Sequence, residues 1–498
     1  MGAITTAEMR GMEAAAMRDG WSEARLLELA GRRLGHALAA FFPQPGTIIG
    51  YLGKGHNAGD ALVAMNVLET HFGWITAARP GFPSEECAPL TREVWQKFPP
   101  QQQLTEFPNW REMRRPLVLF DGLLGIGASG ALREPLMALA REIAWLRNHA
   151  GARVAAVDLP SGVDPDRGEI TAEAVMADVT FMIGAAKCGL LTATAAHATG
   201  ALAVVPVEPL AALPGGGLEL ISPLAMEAGL APRPFDFHKG MAGKVALLAG
   251  SPEFTGAAVL AASGALYGGA GLIHLYVPQA VAAAVTAKCP PEIIVHGCSD
   301  PQALLESAPD AIVVGPGLGP MSDAFAAQLM QLLAHSEVPT VLDADALNLL
   351  ARLGIDQALK SNHLLTPHPG EFRRLAPDLA DLPREDAARK FVGRHPVTLL
   401  LKGCRTLVTN RDAPLWCNAT GSPGMATGGQ GDVLAGVIGA LLAAGHPPVT
   451  AAAMAAWRCG RAAELALNLP TISEESLTPS HVLAHLGAAC CDWRESRR

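Results

Sequence analysis

A chain of 498 residues is too long for one ordinary core, and two domains of about 200 to 280 residues are the natural division. Half of the residues are apolar and 17% are charged, so a large core is easily buried. The net charge of −9, with no basic run, argues against a nucleic-acid groove, and nine cysteines without a CxxC pair suggest reduced intracellular thiols rather than a disulfide framework or zinc site.

The opening MGAITTAEMRGMEAAAM lacks a charged stretch followed by an apolar one, so no secretory signal is expected and the chain reads as soluble and cytoplasmic. Residues 5–40 read as helical, entered by a capping box of Thr5 with Glu8. Apolar runs at 47–53, 116–122, 152–162 and 177–184 read as strands, alternating with helices near 57–70 and 132–148. That alternation predicts a parallel sheet with helices on both faces, with ligands beyond the carboxyl ends of the strands. Asn57, Asp121 and Asp158 all fall there.

Residues 213–234 are rich in Gly and Pro and mark a joint: we assign 1–212 to one domain, 213–230 to a linker and 231–492 to a second domain. Beyond it, short apolar strands are expected at 244–250, 272–277, 311–317, 339–345, 363–370, 397–403 and 406–410. The uncharged stretch 257–277 is broken by Gly268, Gly269 and Gly271, so it reads as a helix, a turn and a strand rather than a membrane span.

GKGHNAGDA (53–61) follows a strand and opens a helix, a place where backbone amides can meet a phosphate. Asp121 in DGLLGIG and the run DLPSGVDPDRG (158–168) bring carboxylate, amide and hydroxyl oxygens to the same edge, which suits a hard cation beside a phosphate-bearing ligand. TAEMR, GKGHNAGDA, DGLLGIG and DLPSGVD, in that order, resemble the NAD(P)H-hydrate epimerase family over residues 1–210. The resemblance implies a Rossmann-like three-layer sandwich, with potassium held by Asn57, Asp121 and Ser161. The hydrated nucleotide would contact His56, Asn57, Ala58, Gly59 and Asp60, then Gly125, Ile126, Gly127, Ala128, Ser129, Gly130 and Ala131, and Asp158. The family usually has Asn at position 56 and Gly at 58, so His56 and Ala58 are departures. Inverting C6 of the hydrated ring needs a group that moves a proton, and Asp158 is the candidate, against the plainer reading that it caps the PSG turn.

NATGSPGMATGGQGDVLAG (418–436) carries a glycine-dense loop into an apolar helix. Amides of Gly429, Gln430 and Gly431 would converge on one point as an anion hole, with Asp432 placed as a base for an attacking hydroxyl rather than as a mere N-cap. This resembles the anion hole of ribokinase-like kinases. With HKG (238–240), GAAVLAA (256–262), GPGLG (315–319), LDADALN (342–348), TPHPGEFRRL (366–375) and KGCRT (402–406), the half resembles the ADP- or ATP-dependent NAD(P)H-hydrate dehydratases over 231–490.

That resemblance implies a ribokinase-like three-layer α/β/α fold in which Lys402, Gly403, Cys404, Arg405, Thr406 and Gly431 bind ADP or ATP with magnesium. Ala257, Gly319, His368 and Asp432 would meet the hydrated substrate, NADHX or NADPHX, with Asp432 as catalytic base. Gln430 and Ser422 depart from the usual Thr or Ser and Asn, without removing a backbone N–H. Asp343 and Asp345 could orient magnesium or hold the sheet edge. The implied chemistry is phosphorylation of the C6 hydroxyl followed by phosphate loss, and a homo-oligomer with no membrane partner is expected. Two rivals are a ribokinase-type small-molecule kinase, which leaves the N-terminal half unexplained, and an N-terminal domain kept only as a binding module.

Overall fold

The computed structural model describes residues 2–127, 130–210, 217–226, 230, 232–354 and 359–495. It divides into two units, Met1–Gly215 and Gly216–Arg498.

In the first unit the strands are β1 (Ala3–Ile4), β2 (Thr47–Leu52), β3 (Ile75–Pro80), β4 (Leu117–Gly122), β5 (Arg153–Val157), β6 (Val179–Ile183), β7 (Ala186–Lys187) and β8 (Ala201–Val205). Six of them form a parallel sheet in the order β3-β2-β4-β5-β6-β8, and β1 pairs separately with β7. Every residue of β2 and β4 is buried, as expected of parallel strands covered on both faces. Ile48, Phe120, Val157 and Phe181 face Leu34, Leu38 and Leu62 from helices on one side. Their neighbours Ile49, Leu119 and Val154 face Ile143 and Leu146 of the helix Leu136–Ala150 on the other. The three expected layers are therefore present.

The expected helical stretch 5–40 is two helices. The Thr5–Glu8 capping box opens Thr6–Arg18, Gly20 turns the chain at φ +92°, and Ser22 caps Glu23–Phe41. Sheet order places the functional edge. After β2 the chain moves outward to β3, and then to β4 on the other side, so the loops after β2 and β4 part and leave a crevice at the strand ends.

The second unit contains β9 (Leu218–Leu220), β10 (Lys244–Leu248), β11 (Leu272–Pro278), β12 (Ile293–Cys298), β13 (Ala311–Val314), β14 (Thr340–Leu342), β15 (His363–Leu365), β16 (Thr398–Leu401), β17 (Thr406–Thr409) and β18 (Leu415–Asn418). They form one sheet in the order β12-β11-β10-β13-β14-β15-β16-β17-β18-β9. It is parallel from β12 to β16, and the hairpin β16-β17-β18 is antiparallel. β9 arises within the segment read as a joint, with Leu218 opposite Leu415 of β18.

Val245, Leu247, Leu275 and Val313 pack under helices Thr255–Gly268, Gln430–Ala443, Pro448–Leu467 and Pro479–Glu495. The alternate residues Ala246, Leu248, Ile312 and Val314 are also buried, so this sheet too is a middle layer. Stretch 257–277 lies in the helix Thr255–Gly268, a turn at Gly269 and β11, and among the described residues no helix is long and apolar enough to cross a membrane. Here the chain leaves β10 for β11 and β12 on one side and continues from β13 on the other, so the crevice opens between the loops after β10 and β13.

Candidate active sites

At the N-terminal crevice, the helix His56–Phe72 starts directly from the glycine turn after β2. Asn57 in its first turn donates its side-chain amide to the carbonyls of Leu124 (2.9 Å) and Val157 (2.8 Å), tying the ends of three strands together. Asp121, fully buried at the end of β4, accepts from Ser161 N (2.7 Å), Ser161 Oγ (2.7 Å) and Leu123 N (3.2 Å). Burial pushes its carboxyl up to about 6, against the pull of those hydrogen bonds from Ser161 and Leu123.

The three residues read as cation ligands are thus gathered. No ion pair compensates Asp121 among the described residues; two backbone N–H groups and the Ser161 hydroxyl donate to it, and its carboxylate oxygens with the Ser161 hydroxyl and Asn57 amide oxygens are hard donors of the kind a cation takes. Gly125 lies so close that a Cβ there would sit 2.5 Å from Asn57 Oδ1. Gly125 and Gly130 line a cleft with Leu159, Gly162, Asp164 and Arg167. Ala128 and Ser129 fall outside the described residues. Of the two departures, His56 is exposed at the helix start and Ala58 is buried in the core, so the turn into the helix is kept.

Asp158 stands at the end of β5 in the left-handed region, φ +66°, a strained conformation for a residue with a side chain. Its Oδ1 accepts from Ile183 N (2.8 Å) and pairs with the ammonium of Lys187, which also donates to Ile183 O (2.8 Å). Lys187 is wholly buried, and the sequence reading missed it. Burial, with the charges of Asp158 and Glu13, holds the carboxyl of neighbouring Asp60 well above its ordinary range. Burial and Asp158 likewise raise Glu13, another residue the reading passed over. An ion pair, a strained aspartate and two carboxyls raised above their ordinary range therefore share one strand edge.

At the C-terminal crevice the helix begins earlier than read. Gly429 is its N-cap at φ +95°, a backbone conformation that favours glycine, and Gln430, Gly431 and Asp432 form its first turn. Lys402, just past β16, donates to Asp343 Oδ1 at 2.7 Å and lies 3.8 Å from Glu371. A Cβ on Gly431 would stand 3.2 Å from Lys402 Nζ, so the lysine faces the glycine turn. Burial opposes the lysine's charge, but Asp343, Glu371 and Asp432 more than offset it and hold the ammonium above its ordinary range. Burial, reinforced by Asp343 and opposed by Lys402, pushes the Asp432 carboxyl up to about 7.

Asp343 also accepts from Thr366 Oγ1 (2.8 Å), which ties the lysine to the sheet edge. Asp345 accepts from Gly319 N (2.8 Å) and Asn348 Nδ2 (3.1 Å), pinning the loop after β13. His368 caps the helix Pro369–Leu375, its Nδ1 accepting from Gly370 N at 3.0 Å. In the 402–406 loop, Gly403 and Cys404 are exposed, Arg405 is buried, and Thr406 starts β17. Arg384, also missed, clamps that loop by donating to Cys404 O (2.7 Å) and Lys402 O (3.1 Å). Ala257 lies in the first turn of the helix Thr255–Gly268.

Comparison with known proteins agrees with this division. A family profile described as YjeF-related protein N-terminus matches residues 23–189, and one described as NAD(P)H-hydrate dehydratase matches 245–485. A bifunctional NAD(P)H-hydrate repair enzyme of Gloeobacter violaceus is 36% identical over 476 residues, 91% of each chain. One of Thermosynechococcus vestitus is 33% identical over 471 residues, 88% of each chain. Among solved structures, a ribokinase-like superfamily protein of Enterococcus faecalis superposes with TM-score 0.51 at 25% identity, over 57% of this chain and 98% of that one.

Proposed function

Since the chain belongs to the family of bifunctional NAD(P)H-hydrate repair enzymes, with an epimerase domain followed by a dehydratase domain, we propose how its own residues divide the two reactions.

In the first unit Asp158 handles the proton at C6. It takes the C6 hydroxyl proton as C6=O forms and the C6–N1 electron pair passes to N1, which is protonated in turn; closure on the opposite face inverts the centre. Asp60, whose carboxyl burial raises well above its ordinary range, supplies a nearby proton. Asn57, Asp121 and Ser161 would hold potassium, which when bound would supply positive charge beside the nucleotide phosphates. The helix start 56–60 and the segment 125–131 take the dinucleotide.

In the second unit Asp432 takes the proton of the C6 hydroxyl of the (S)-hydrate as its oxygen attacks the terminal phosphorus of ADP or ATP. The bridging P–O bond breaks and AMP or ADP leaves. The C6–O bond then breaks with its electrons going to phosphate, a far better leaving group than hydroxide, and loss of a C5 proton restores the dihydropyridine. The amides of Gly429, Gln430 and Gly431 meet the transferring phosphoryl group, and Lys402 adds positive charge. Lys402 to Thr406 hold the nucleotide, whose magnesium would neutralise phosphate charge near Asp432 and Asp345. Ala257, Gly319 and His368 meet the hydrated ring.

The observation that carries this reading is Asp432 at the head of the glycine-capped helix, beside Lys402, with its carboxyl poised at about 7. The test incubates the full chain with mixed NADHX epimers and either ADP or ATP, following dihydropyridine absorbance. Recovery from both epimers is expected. No recovery with either nucleotide would refute the dehydratase assignment, and prompt recovery of only half would refute the epimerase assignment.

A further inference from the structure

Ser251 is 3% exposed, and its hydroxyl finds no hydrogen-bond partner among the described residues. A buried hydroxyl left unpaired is costly, and such groups in folded proteins call for an explanation. Ser251 O accepts from Phe254 N (3.1 Å), and Gly250 N donates to Pro316 O (2.8 Å), so the turn is held by its backbone.

Its position is specific. Ser251 ends the turn after β10, and Gly250 binds that turn to the loop after β13, so the hydroxyl stands at the crevice where the sheet order reverses. It faces Gly319, on which a Cβ would lie 3.1 Å from Ser251 Oγ. Gly319 is itself fixed at φ +63° with its amide on Asp345. A Cβ on nearby Gly317 would lie 2.7 Å from that of Ala257. The β13 loop therefore meets the serine with a glycine rather than a side chain, and Asp345 links that loop electrostatically to Asp432.

We infer that Ser251 is a substrate-binding residue of the dehydratase unit, whose hydroxyl completes its hydrogen bonding only on a polar group of the hydrated dinucleotide, not on ADP or ATP. The inference rests on the dehydratase reading above. A hydroxyl both donates and accepts, so a carboxamide or a ring hydroxyl satisfies it equally.

Ser251→Ala in the full chain tests it. Because the hydroxyl is unpaired in the free protein, the ligand-free variant should melt at or above the wild-type temperature. KM for (S)-NADHX should rise about threefold to tenfold, the range of one neutral hydrogen bond, with kcat within about twofold and KM for ADP unchanged. Binding is also read without turnover, as the rise in melting temperature caused by (S)-NADHX with no nucleotide present. That rise should shrink in the variant, and a failure of the catalytic reading would not affect the comparison. An unchanged response to the hydrate, a shift confined to ADP, or a lower melting temperature for the free variant would each overturn the assignment.

Discussion

The buried pair of Lys187 and Asp158 makes a quantitative prediction about the N-terminal unit. The lysine side chain is 0% exposed and that of Asp158 7%, so neither charge can turn to water if its partner is lost. Lys187→Met would leave the Asp158 carboxylate buried near Asp60 and Glu13, and removing one partner of such a pair costs about 3–5 kcal/mol. For a unit of this size about 1 kcal/mol shifts melting by about 2–4 °C, so the first unit should melt about 6–20 °C lower. Adding Asp158→Asn removes the stranded charge, and replacing both partners is often near neutral, so the double variant should recover most of the loss. Calorimetry on the full chain reads the N-terminal transition, with (S)-NADHX dehydration confirming that the other unit is intact. A Lys187→Met protein melting within about 2 °C of wild type, or a double variant falling as far as the single, would refute the ion-pair argument.

Asp432→Asn should slow dehydration at least about 100-fold, the lower end of the loss of a general base, while epimerisation is untouched. Burial raises the folded carboxyl from 3.8 to about 7, so the native state binds a proton that the unfolded chain releases, and this contribution to stability fades as pH rises from about 4 to 7. The Asn variant, which cannot ionise, should therefore melt at or above wild type at pH 8, and wild-type dehydration should climb as pH passes through about 7. Asp121→Ala should slow epimerisation and leave dehydration intact; equal epimerisation rates would rule out its proposed ligand role. Fragments divided between Gly215 and Gly216 should each fold, because each keeps its own sheet and core, and two molten fragments would refute that boundary.

The strands legible in the sequence all lie inside their sheets, mostly as buried apolar runs, many of them closed by Asp or Gly. Those passed over show why the rest was harder to see. β3 and β8 lie at the two ends of their sheet, and their residues are mixed in burial. β12, also at an edge, is mixed in burial and carries His296 stacked on Tyr276. β9 has three residues, and it is a strand only because β18, almost two hundred residues later, lies beside it. No local pattern contains that pairing. The break between the first two helices was readable, since Asp19, Gly20 and Ser22 spell a stop followed by an N-cap.

For the sites, glycine loops and strand-end carboxylates were visible because they sit together in ordered motifs, whereas the groups that tune them were not. Lys187 did leave a signal: it is the one cation within ADVTFMIGAAKCGLL, and a lysine in so apolar a run must find a partner. Which partner depends on β5 and β6 standing side by side. Lys402 and Asp343 pose the same problem across β14, β15 and β16. The two units reach their chemistry by opposite use of one device. In the first, the lysine pairs with the very aspartate proposed to move the proton, and burial with the charges of Asp158 and Glu13 raises the carboxyl of Asp60 nearby. In the second, Asp343 takes the lysine, and burial reinforced by Asp343 raises the Asp432 carboxyl to about 7. A base that must accept a proton and later release it works best near the ambient pH. The lysine in the dehydratase unit is therefore best placed one carboxylate away from the base, where it can stand against the glycine turn and hold a phosphoryl group without holding Asp432 as well.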